Sequence, residues 1–301
     1  MKKLAGLVGL MAMGAAMAAL PETAFRKTPY VGAIAVDAQT GRVLFEDHAD
    51  TVARPASVTK LMTLLLVLED MHAMKYDPTT RVTASVRCSQ EKPSVVGLKP
   101  GHTMTVDDLL LSIMVKSAND AAVLLAENST AKNAGRDIQP GDLQAFVVRM
   151  NSRAKQLGMA STHYETPNGY PPKPGSKHPF DTSTCRDLVK LARKLVTMPE
   201  VFRFTKTKIC TVTDGAGNPL KMVNHNNILV KDKKKILNEK GESEVDGLKT
   251  GYIDAGGSSI VLTGIRNGKR AIVVVVGSQT SKLRDEHARK LMVDALDKLN
   301  R

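Results

Sequence analysis

Two side chains that stand three residues apart, Ser57 and Lys60, have the types and spacing of a nucleophile and its base. Two further groups of residues with chemically useful side chains follow them in chain order. They are Ser117 with Asn119, and Lys249 with Thr250 and Gly251. Each pattern alone is common in proteins, so the prediction depends on finding all three in this order. Together they predict an acyl-transfer site, at which a serine attacks a carbonyl carbon and forms an acyl-serine.

We predict that Ser57 is the nucleophile and that Lys60 is the base that takes its proton. A helix beginning near Ser57 places both side chains on one face, where the lysine Nζ reaches the serine Oγ. The stretch 61–68 is almost entirely apolar, so the helix is predicted to be buried. Burial and a second nearby cation would lower the pKa of Lys60 and leave some free amine. The helix alone leaves one alternative open, in which Lys60 extends from the helix end to solvent.

Ser117 and Asn119 are predicted to lie between the end of one helix and the start of the next. Both residue types are favoured as helix caps, and we expect them to cap here as well as to take part in chemistry. In that chemistry the Ser117 hydroxyl carries a proton to the leaving amine. Asn119 orients Lys60 and the substrate amide.

Lys249, Thr250 and Gly251 precede a predicted terminal hairpin and are expected to lie on a strand edge. Lys249 and Thr250 would bind a substrate carboxylate, and Lys249 would be the second cation that lowers the pKa of the base. Gly251 would leave room for substrate along the strand. The backbone N–H groups of Ser57 and Tyr252 are the expected donors to the oxyanion. An edge-strand lysine that only discourages strand pairing is the alternative for Lys249.

These residues need a scaffold, and the sequence predicts strands at both chain ends with helices between them. Short apolar stretches at 30–36 and 43–46 predict one hairpin, and the runs 258–265 and 271–277 predict another around Asn267-Gly268. The predicted helices begin near Ser57, include Leu109 to Met114, and cover 119–126, 142–157, 183–196 and 283–299. The pattern predicts an α+β fold, in which an antiparallel sheet completed by both termini joins a mostly helical part.

The N-terminal segment predicts export from the cytoplasm. Lys2 and Lys3 precede an apolar run at 4–20, and small residues at 16 and 18 fit a cleavage site. Residues 1–18 are therefore predicted to be a signal peptide, and 19–301 a single catalytic domain without a C-terminal β-domain. The apolar run is at the short limit for a membrane span, so no stable membrane anchor is expected. We expect the mature protein to be periplasmic or associated with the cell wall.

Composition narrows the possible partners. The net charge is +13, but no pattern of aromatic and basic residues indicates base stacking, so nucleic acid is not an expected partner. The charge would suit an anionic polymer such as a cell wall. Cys88, Cys185 and Cys210 are widely spaced, which leaves their pairing open, and neither Cys-x-x-Cys nor His-Glu-x-x-His occurs. Neither a metal nor another cofactor is expected.

The motifs and their surroundings resemble those of low-molecular-mass penicillin-binding proteins, the serine-type D-alanyl-D-alanine carboxypeptidases. The likeness extends over nearly all of residues 27–300. It includes 54–63, 100–110, 117–122, 224–229 and 246–256. The resemblance implies a β-lactamase/transpeptidase-like fold, with the site where an antiparallel sheet flanked by helices meets a mostly helical subdomain. It also implies removal of the terminal D-Ala from peptidoglycan stem peptides, and acylation of Ser57 by β-lactams.

Several features depart from the pattern of that family. Asn168 stands where a His is common, and Ile253 stands where a Thr is usual. The short layout after the last helix resembles that of D,D-endopeptidases, which cut peptidoglycan cross-links, and this activity is the main alternative. A β-lactamase is less favoured, because the Glu-x-x-Leu-Asn pattern that supplies a base for water is missing. A wall-binding protein without catalysis is the third alternative, against which the completeness of all three motifs argues.

Overall fold

A computed structural model describes residues 25–170, 179–231 and 244–301. Its strands are β1 (Gly32–Asp37), β2 (Val43–Asp47), β3 (Arg81–Thr83), β4 (Thr103–Thr105), β5 (Ile209–Thr213), β6 (Pro219–Val223), β7 (Val245–Ile253), β8 (Gly257–Arg266) and β9 (Lys269–Ser278). Its α-helices are α1 (Lys60–His72), α2 (Val86–Ser89), α3 (Val106–Leu111), α4 (Asn119–Asn133), α5 (Asp142–Gln156), α6 (Cys185–Leu195), α7 (Val201–Thr205), α8 (Asn227–Val230) and α9 (Ser281–Asn300).

The two ends of the described chain meet in a five-stranded antiparallel sheet, whose strand order is β2-β1-β9-β8-β7. β1 pairs with β9, with Gly32 opposite Val276. Asn267 and Gly268 form the turn between β8 and β9, and both have positive φ (50° and 76°), as the Asn-Gly signal predicts. The predicted antiparallel sheet, completed by strands from both chain ends, is confirmed.

Successive side chains of β9 point to opposite faces of the sheet, and both faces are buried. The face toward α9 carries Ala271, Val273 and Val275, and the opposite face carries Ile272, Val274 and Val276. The first set forms a smaller core with α9, and the second joins a larger core shared with α1, α4 and α6. β7 is one of the two edge strands, and it lies beside the turn that carries Ser57. The site therefore forms where the sheet meets the helical part.

The helix α1 lies inside the larger core, as its apolar sequence predicts. Residues 60–68 are all buried, and α1 packs against α4, α5, α6 and β7. Within this buried stretch, a polar side chain cannot reach bulk water. The lysine at its first position must therefore find partners inside the protein.

Two helices differ from the sequence prediction at the points where they carry site residues. α1 begins at Lys60, and Ser57 lies just before it in a 3₁₀ turn formed by Ala56–Thr59. The predicted helix through Met114 is divided, because α3 ends at Leu111 and a π-helical turn, Ser112–Lys116, follows it. That turn ends in Ser117, which adopts a left-handed conformation with φ 60°. The wider turn redirects the chain so that Ser117 points into the site instead of continuing the helix.

Some predictions fall outside the described residues. These are the signal peptide at 1–18, the lysines at 233–235, which the sequence indicates to be part of a solvated loop, and positions 171–178 of the proline-rich stretch 162–181, which the sequence predicts to be a long functional loop. Within the three described ranges, no helix is both long enough and apolar enough to cross a bilayer. Cys88, Cys185 and Cys210 are all free thiols, which settles the pairing that the sequence left open.

Candidate active site

The predicted nucleophile and base lie in direct contact. The Lys60 Nζ donates hydrogen bonds to Ser57 Oγ at 2.9 Å, to Asn119 Oδ1 at 2.7 Å and to the backbone carbonyl of Asn168 at 2.7 Å. The Lys60 side chain is completely buried, whereas Ser57 is partly exposed. The alternative in which Lys60 extends to solvent is therefore wrong. These three contacts hold the amine next to the Ser57 hydroxyl, from which it would take a proton.

The surroundings of Lys60 favour its neutral form. Burial lowers the pKa of Lys60 well below its usual value, and the charge of Lys249 lowers it further. The carboxylates of Glu91, Asp181 and Asp120 act in the opposite direction but do not outweigh these effects. Burial and the charge of Arg284 also lower the pKa of Lys249, to about 7. The site thus holds two buried amines. When Lys60 is neutral, its two N–H groups can donate to Asn119 and Asn168, and its lone pair then faces the Ser57 hydroxyl and can accept the proton of that group.

The side chains of Ser117 and Asn119 face the two lysines and make no helix-capping hydrogen bond. Ser117 Oγ accepts a hydrogen bond from Lys249 Nζ at 3.0 Å, and the same Nζ donates to the Thr250 carbonyl at 2.8 Å. Asn119 accepts from Lys60 and donates through Nδ2 to the Pro93 carbonyl at 2.8 Å. The N-cap position of α4 belongs to the preceding alanine, without a side-chain hydrogen bond. Ser117 is the C-cap residue of the π-helical turn before it, through its backbone N–H. The predicted capping by Asn119 is wrong, because Asn119 is the first residue of α4 and its side chain bonds Lys60 and the Pro93 carbonyl.

Gly251 allows β7 to approach the turn that carries Ser57. A Cβ at Gly251 would lie 2.5 Å from the Pro55 carbonyl oxygen and 3.0 Å from Ser57 N. The sequence suggested that this glycine leaves room for substrate, and the structure adds a nearer neighbour, the backbone around the nucleophile. Tyr252 follows directly on β7. Its side chain is 54% exposed and its hydroxyl donates to Asp254, so its expected contribution to the site is through its backbone N–H.

The other side of the Ser57 turn is held by a segment whose role the sequence did not reveal. Thr63 Oγ1 donates to the Pro167 carbonyl at 2.6 Å, and the next carbonyl, that of Asn168, accepts from Lys60. Gly169 has φ +74°, and a Cβ there would lie 1.9 Å from the Ala56 carbonyl oxygen. The turn at 167–169 and β7 therefore enclose the nucleophile's backbone from two sides.

Asp181 fastens the segment at 165–169 to the start of α1. Its carboxylate accepts from Thr59 Oγ1 at 2.8 Å, from Glu165 N at 2.7 Å and from Thr166 N at 3.0 Å. Burial is the largest influence on this carboxyl, and it raises the pKa of Asp181 to about 6. No sequence motif marked Asp181 as part of the site. Asp181 thus positions the carbonyl that Lys60 bonds.

The departure at Asn168 affects a side chain that points away from the amine. Asn168 Nδ2 donates to Glu91 Oε2 at 2.9 Å, and Glu91 also accepts from Arg87 at 2.6 Å. Lys60 bonds the backbone carbonyl at this position, which any residue type supplies. The substitution relative to the family pattern therefore leaves that contact with the base intact.

Comparison with known proteins agrees with this geometry. The model of the D-alanyl-D-alanine carboxypeptidase family, peptidase family S11, matches residues 27–280. The chain belongs to this family. Two curated family relatives are the D-alanyl-D-alanine carboxypeptidases DacC of Escherichia coli and DacF of Bacillus subtilis. DacC is 32% identical over 301 residues and DacF 28% over 291, and each alignment covers 95% of this chain and 68% of the relative.

The solved structure of a penicillin-binding protein has the same overall fold. Penicillin-binding protein D2 of Listeria monocytogenes, in its ampicillin-bound form, is 30% identical, with a TM-score of 0.71 over 89% of this chain and 97% of that one. The predicted fold class, an antiparallel sheet flanked by helices with a mostly helical subdomain, is confirmed. In the parts of the chain that the structure describes, no group of three His, Cys, Asp or Glu side chains could hold a metal ion.

Proposed function

We propose that this protein is a serine D,D-carboxypeptidase, which removes the terminal D-Ala from peptidoglycan stem peptides through an acyl-serine at Ser57. The observation that carries the proposal is the 2.9 Å contact between Ser57 Oγ and a fully buried Lys60 amine, in a chain of this family. A lysine whose pKa is lowered by burial can take a serine proton near neutral pH, which an exposed lysine cannot do efficiently.

In the proposed reaction, Ser57 Oγ attacks the carbonyl carbon of the penultimate D-Ala while Lys60 takes the hydroxyl proton. The backbone N–H groups of Ser57 and Tyr252 stabilise the oxyanion. The proton then reaches the departing D-Ala amine through the Ser117 hydroxyl. Because Lys249 donates to Ser117 Oγ, the Ser117 proton is free to be given to the amine. Water afterwards cleaves the acyl-serine and regenerates Ser57.

Binding and location follow from the same proposal. Lys249 and Thr250 would hold the terminal carboxylate of the substrate, and Asn119 would orient the scissile amide. β-Lactams, which present a carboxylate and a reactive carbonyl, would acylate Ser57 and inhibit the enzyme.

Activity on the wall requires export, for which residues 1–18 would be the signal peptide. The wall itself is then the partner.

Muropeptide analysis tests the proposed function directly. The purified protein is incubated with a mixture of pentapeptide monomers and cross-linked dimers, and the masses of the products are measured by mass spectrometry. We expect monomers to lose one D-Ala while dimers persist, and Ser57→Ala to abolish the change. Conversion of dimers to monomers would show that the protein is an endopeptidase instead. Intact monomers and dimers would overturn both activities.

The pH profile of kcat/KM should have two limbs for substrates that carry a terminal carboxylate. Lys60 must be neutral, so the rate rises as pH increases through its lowered pKa. Lys249 must be cationic to hold the carboxylate, and its pKa is about 7, so the rate falls above about that pH. A carboxylate-free ester should show only the rising limb. Identical falling limbs for both substrates would contradict this assignment.

Replacing Lys249 with Ala should affect substrates according to their charge. Hydrogen bonds to charged groups contribute roughly 1.5–3 kcal/mol, so kcat/KM for a carboxylate-bearing peptide should fall about 10- to 100-fold. The loss should be several times smaller for the matched carboxylate-free ester, measured with the same enzyme preparation. An equal loss for both substrates would mean that Lys249 acts on the chemistry through Ser117 rather than as the carboxylate anchor.

A further inference from the structure

Glu91 is separated from the general base by a single residue. Its Oε2 accepts a hydrogen bond from Asn168 Nδ2 at 2.9 Å, and the backbone carbonyl of the same Asn168 accepts from Lys60 Nζ at 2.7 Å. Asn168 is buried, and its Oδ1 accepts from Tyr170 N at 2.8 Å, so both polar atoms of its side chain are engaged. Asn168 therefore connects the Glu91 carboxylate with the Lys60 amine.

The segment that carries Glu91 is fixed to the start of α4. The Ser94 carbonyl accepts from Asn119 N at 2.7 Å, and Asn119 also bonds the amine of the base through its side chain. Further along the segment, the Asp120 carboxylate accepts from the backbone N–H groups of residues 96–98. The Glu91 carboxylate is thus held near the base by residues that contact both.

Glu91 is the carboxylate with the strongest electrostatic influence on Lys60. Burial and the charge of Lys249 lower the pKa of Lys60, and the charge of Glu91 is the largest influence in the other direction, ahead of Asp181 and Asp120. The titratable groups around Lys60 are Lys249 on β7, Asp120 on α4, Asp181 ahead of α6, His225 ahead of α8 and Glu91 after α2. The two aspartates also accept hydrogen bonds from backbone N–H groups, whereas the Glu91 carboxylate bonds the side chains of Asn168 and Arg87.

The charged groups on the outer side of Glu91 offset only part of its charge. Arg87 NH1 donates to Glu91 Oε1 at 2.6 Å, but the arginine side chain is 48% exposed and that of Glu91 only 10%. Lys92, the next residue, is exposed. Glu127 on α4 adds negative charge, and Glu91 contributes to raising its pKa beyond the effect of burial. Because solvent screens the exposed cations, a net negative charge faces Lys60.

A negative charge at this place assists the step in which the base takes a proton. When Lys60 accepts the Ser57 proton, it becomes a cation in a completely buried position, which burial and the charge of Lys249 both oppose. A carboxylate that is already fixed stabilises that cation as it forms, without reorganisation. The same charge raises the pH at which Lys60 becomes neutral.

We propose that Glu91, held in place through Asn168, is a positioning residue whose fixed negative charge stabilises the ammonium group that Lys60 forms when Ser57 gives up its proton. The inference rests on the proposed function, in which Lys60 is the base. It adds to that function a residue that lies outside the three sequence motifs.

Glu91→Gln tests the role of the charge, because the amide keeps the length of the side chain and an acceptor for Asn168. The pH profile of kcat/KM is measured with the carboxylate-free ester, for which only the rising limb is expected. The midpoint of that limb should move to lower pH, and the plateau above it should fall roughly two- to fivefold, since both follow from a less stable Lys60 ammonium. A lower plateau with the midpoint in place would indicate a structural effect alone and would overturn the proposal.

Two further variants fix the sign and the location of the effect. Arg87→Gln removes the cation that offsets Glu91, so it should move the midpoint to higher pH. Glu69→Gln is the matched control, because Glu69 is also paired with an arginine, Arg153, at 2.6 Å, yet it lies about 13 Å further along α1 than Lys60. The control should leave the midpoint unchanged. A midpoint that stays in place in Arg87→Gln, or moves as far in the control as in Glu91→Gln, would contradict the proposal.

Side-chain NMR separates this proposal from the proposed function. In protein made with lysine labelled isotopically at Cε, the Lys60 resonance is identified by its absence from Lys60→Arg, and its titration gives the midpoint without turnover. Glu91→Gln should lower that midpoint. If this shift occurs in a protein that releases no D-Ala from pentapeptides, the charge effect stands and the proposed function falls. Normal release of D-Ala with an unchanged Lys60 titration in Glu91→Gln would overturn the role of Glu91 alone.

Discussion

Replacing Lys60 with Met is expected to slow acylation of Ser57 about 1,000-fold or more, both for peptides and for β-lactams. A positioned general base contributes roughly 10²- to 10⁴-fold, and Lys60 is the amine in contact with Ser57 Oγ. Met has a similar length without a proton acceptor, so the serine would keep its proton. The rate is measured with a fluorescent penicillin, by the time course of covalent labelling of the purified protein.

Comparison with Lys60→Arg separates a base from a merely positive group at this position. Lys60→Arg keeps the charge but cannot give up its proton near neutral pH, so it should be nearly as slow as Lys60→Met. Substantial labelling by Lys60→Arg would show that charge alone is enough and would refute the general-base role. Thermal melting of each variant excludes unfolding, which matters because the amine is buried and also bonds Asn119 and Asn168.

The sequence predicted those parts of the site that lie on regular elements. Ser57 and Lys60 meet because three-residue spacing at the start of a helix brings side chains together, and an apolar helix implies burial. Strand patterns at both ends of the chain similarly predicted the sheet and the position of Lys249 on its edge strand. In each case a local periodicity determined which way the side chain points.

The parts that could not be predicted depend on backbone atoms and long-range contacts. The Asn168 carbonyl that Lys60 bonds is 108 residues away in sequence and carries no residue-type signature. Asp181 is one aspartate among many until the fold brings it to Thr59. The π-helical turn before Ser117 changes the helical path, yet the apolar spacing at 109–114 is compatible with an uninterrupted α-helix. Asn119 was expected to cap a helix, but the turn makes it the first residue of α4, and its side chain bonds Lys60 instead.

Gly169→Ala is expected to damage both folding and acylation, because its new methyl group would meet the backbone that carries the nucleophile. The Cβ would lie 1.9 Å from the Ala56 carbonyl oxygen and 3.0 Å from Ser57 N, and φ is +74°. The left-handed conformation costs an alanine about 1–2 kcal/mol, and overpacking typically adds about 1–3 kcal/mol. We therefore expect the free energy of unfolding to fall by roughly 2–5 kcal/mol, measured by urea denaturation.

Gly158→Ala separates the two costs, since Gly158 has a similar φ of +70° with no atom within 4 Å of its added Cβ. This control should lose only the conformational part and acylate at the normal rate. In Gly169→Ala the methyl must displace the turn holding Ser57 or the carbonyl bonded to Lys60. A displacement near 1 Å can slow a reaction about 100-fold, which penicillin labelling would detect in the folded fraction. If the two variants matched in stability and labelling, the close approach at Gly169 would have no role in positioning the nucleophile.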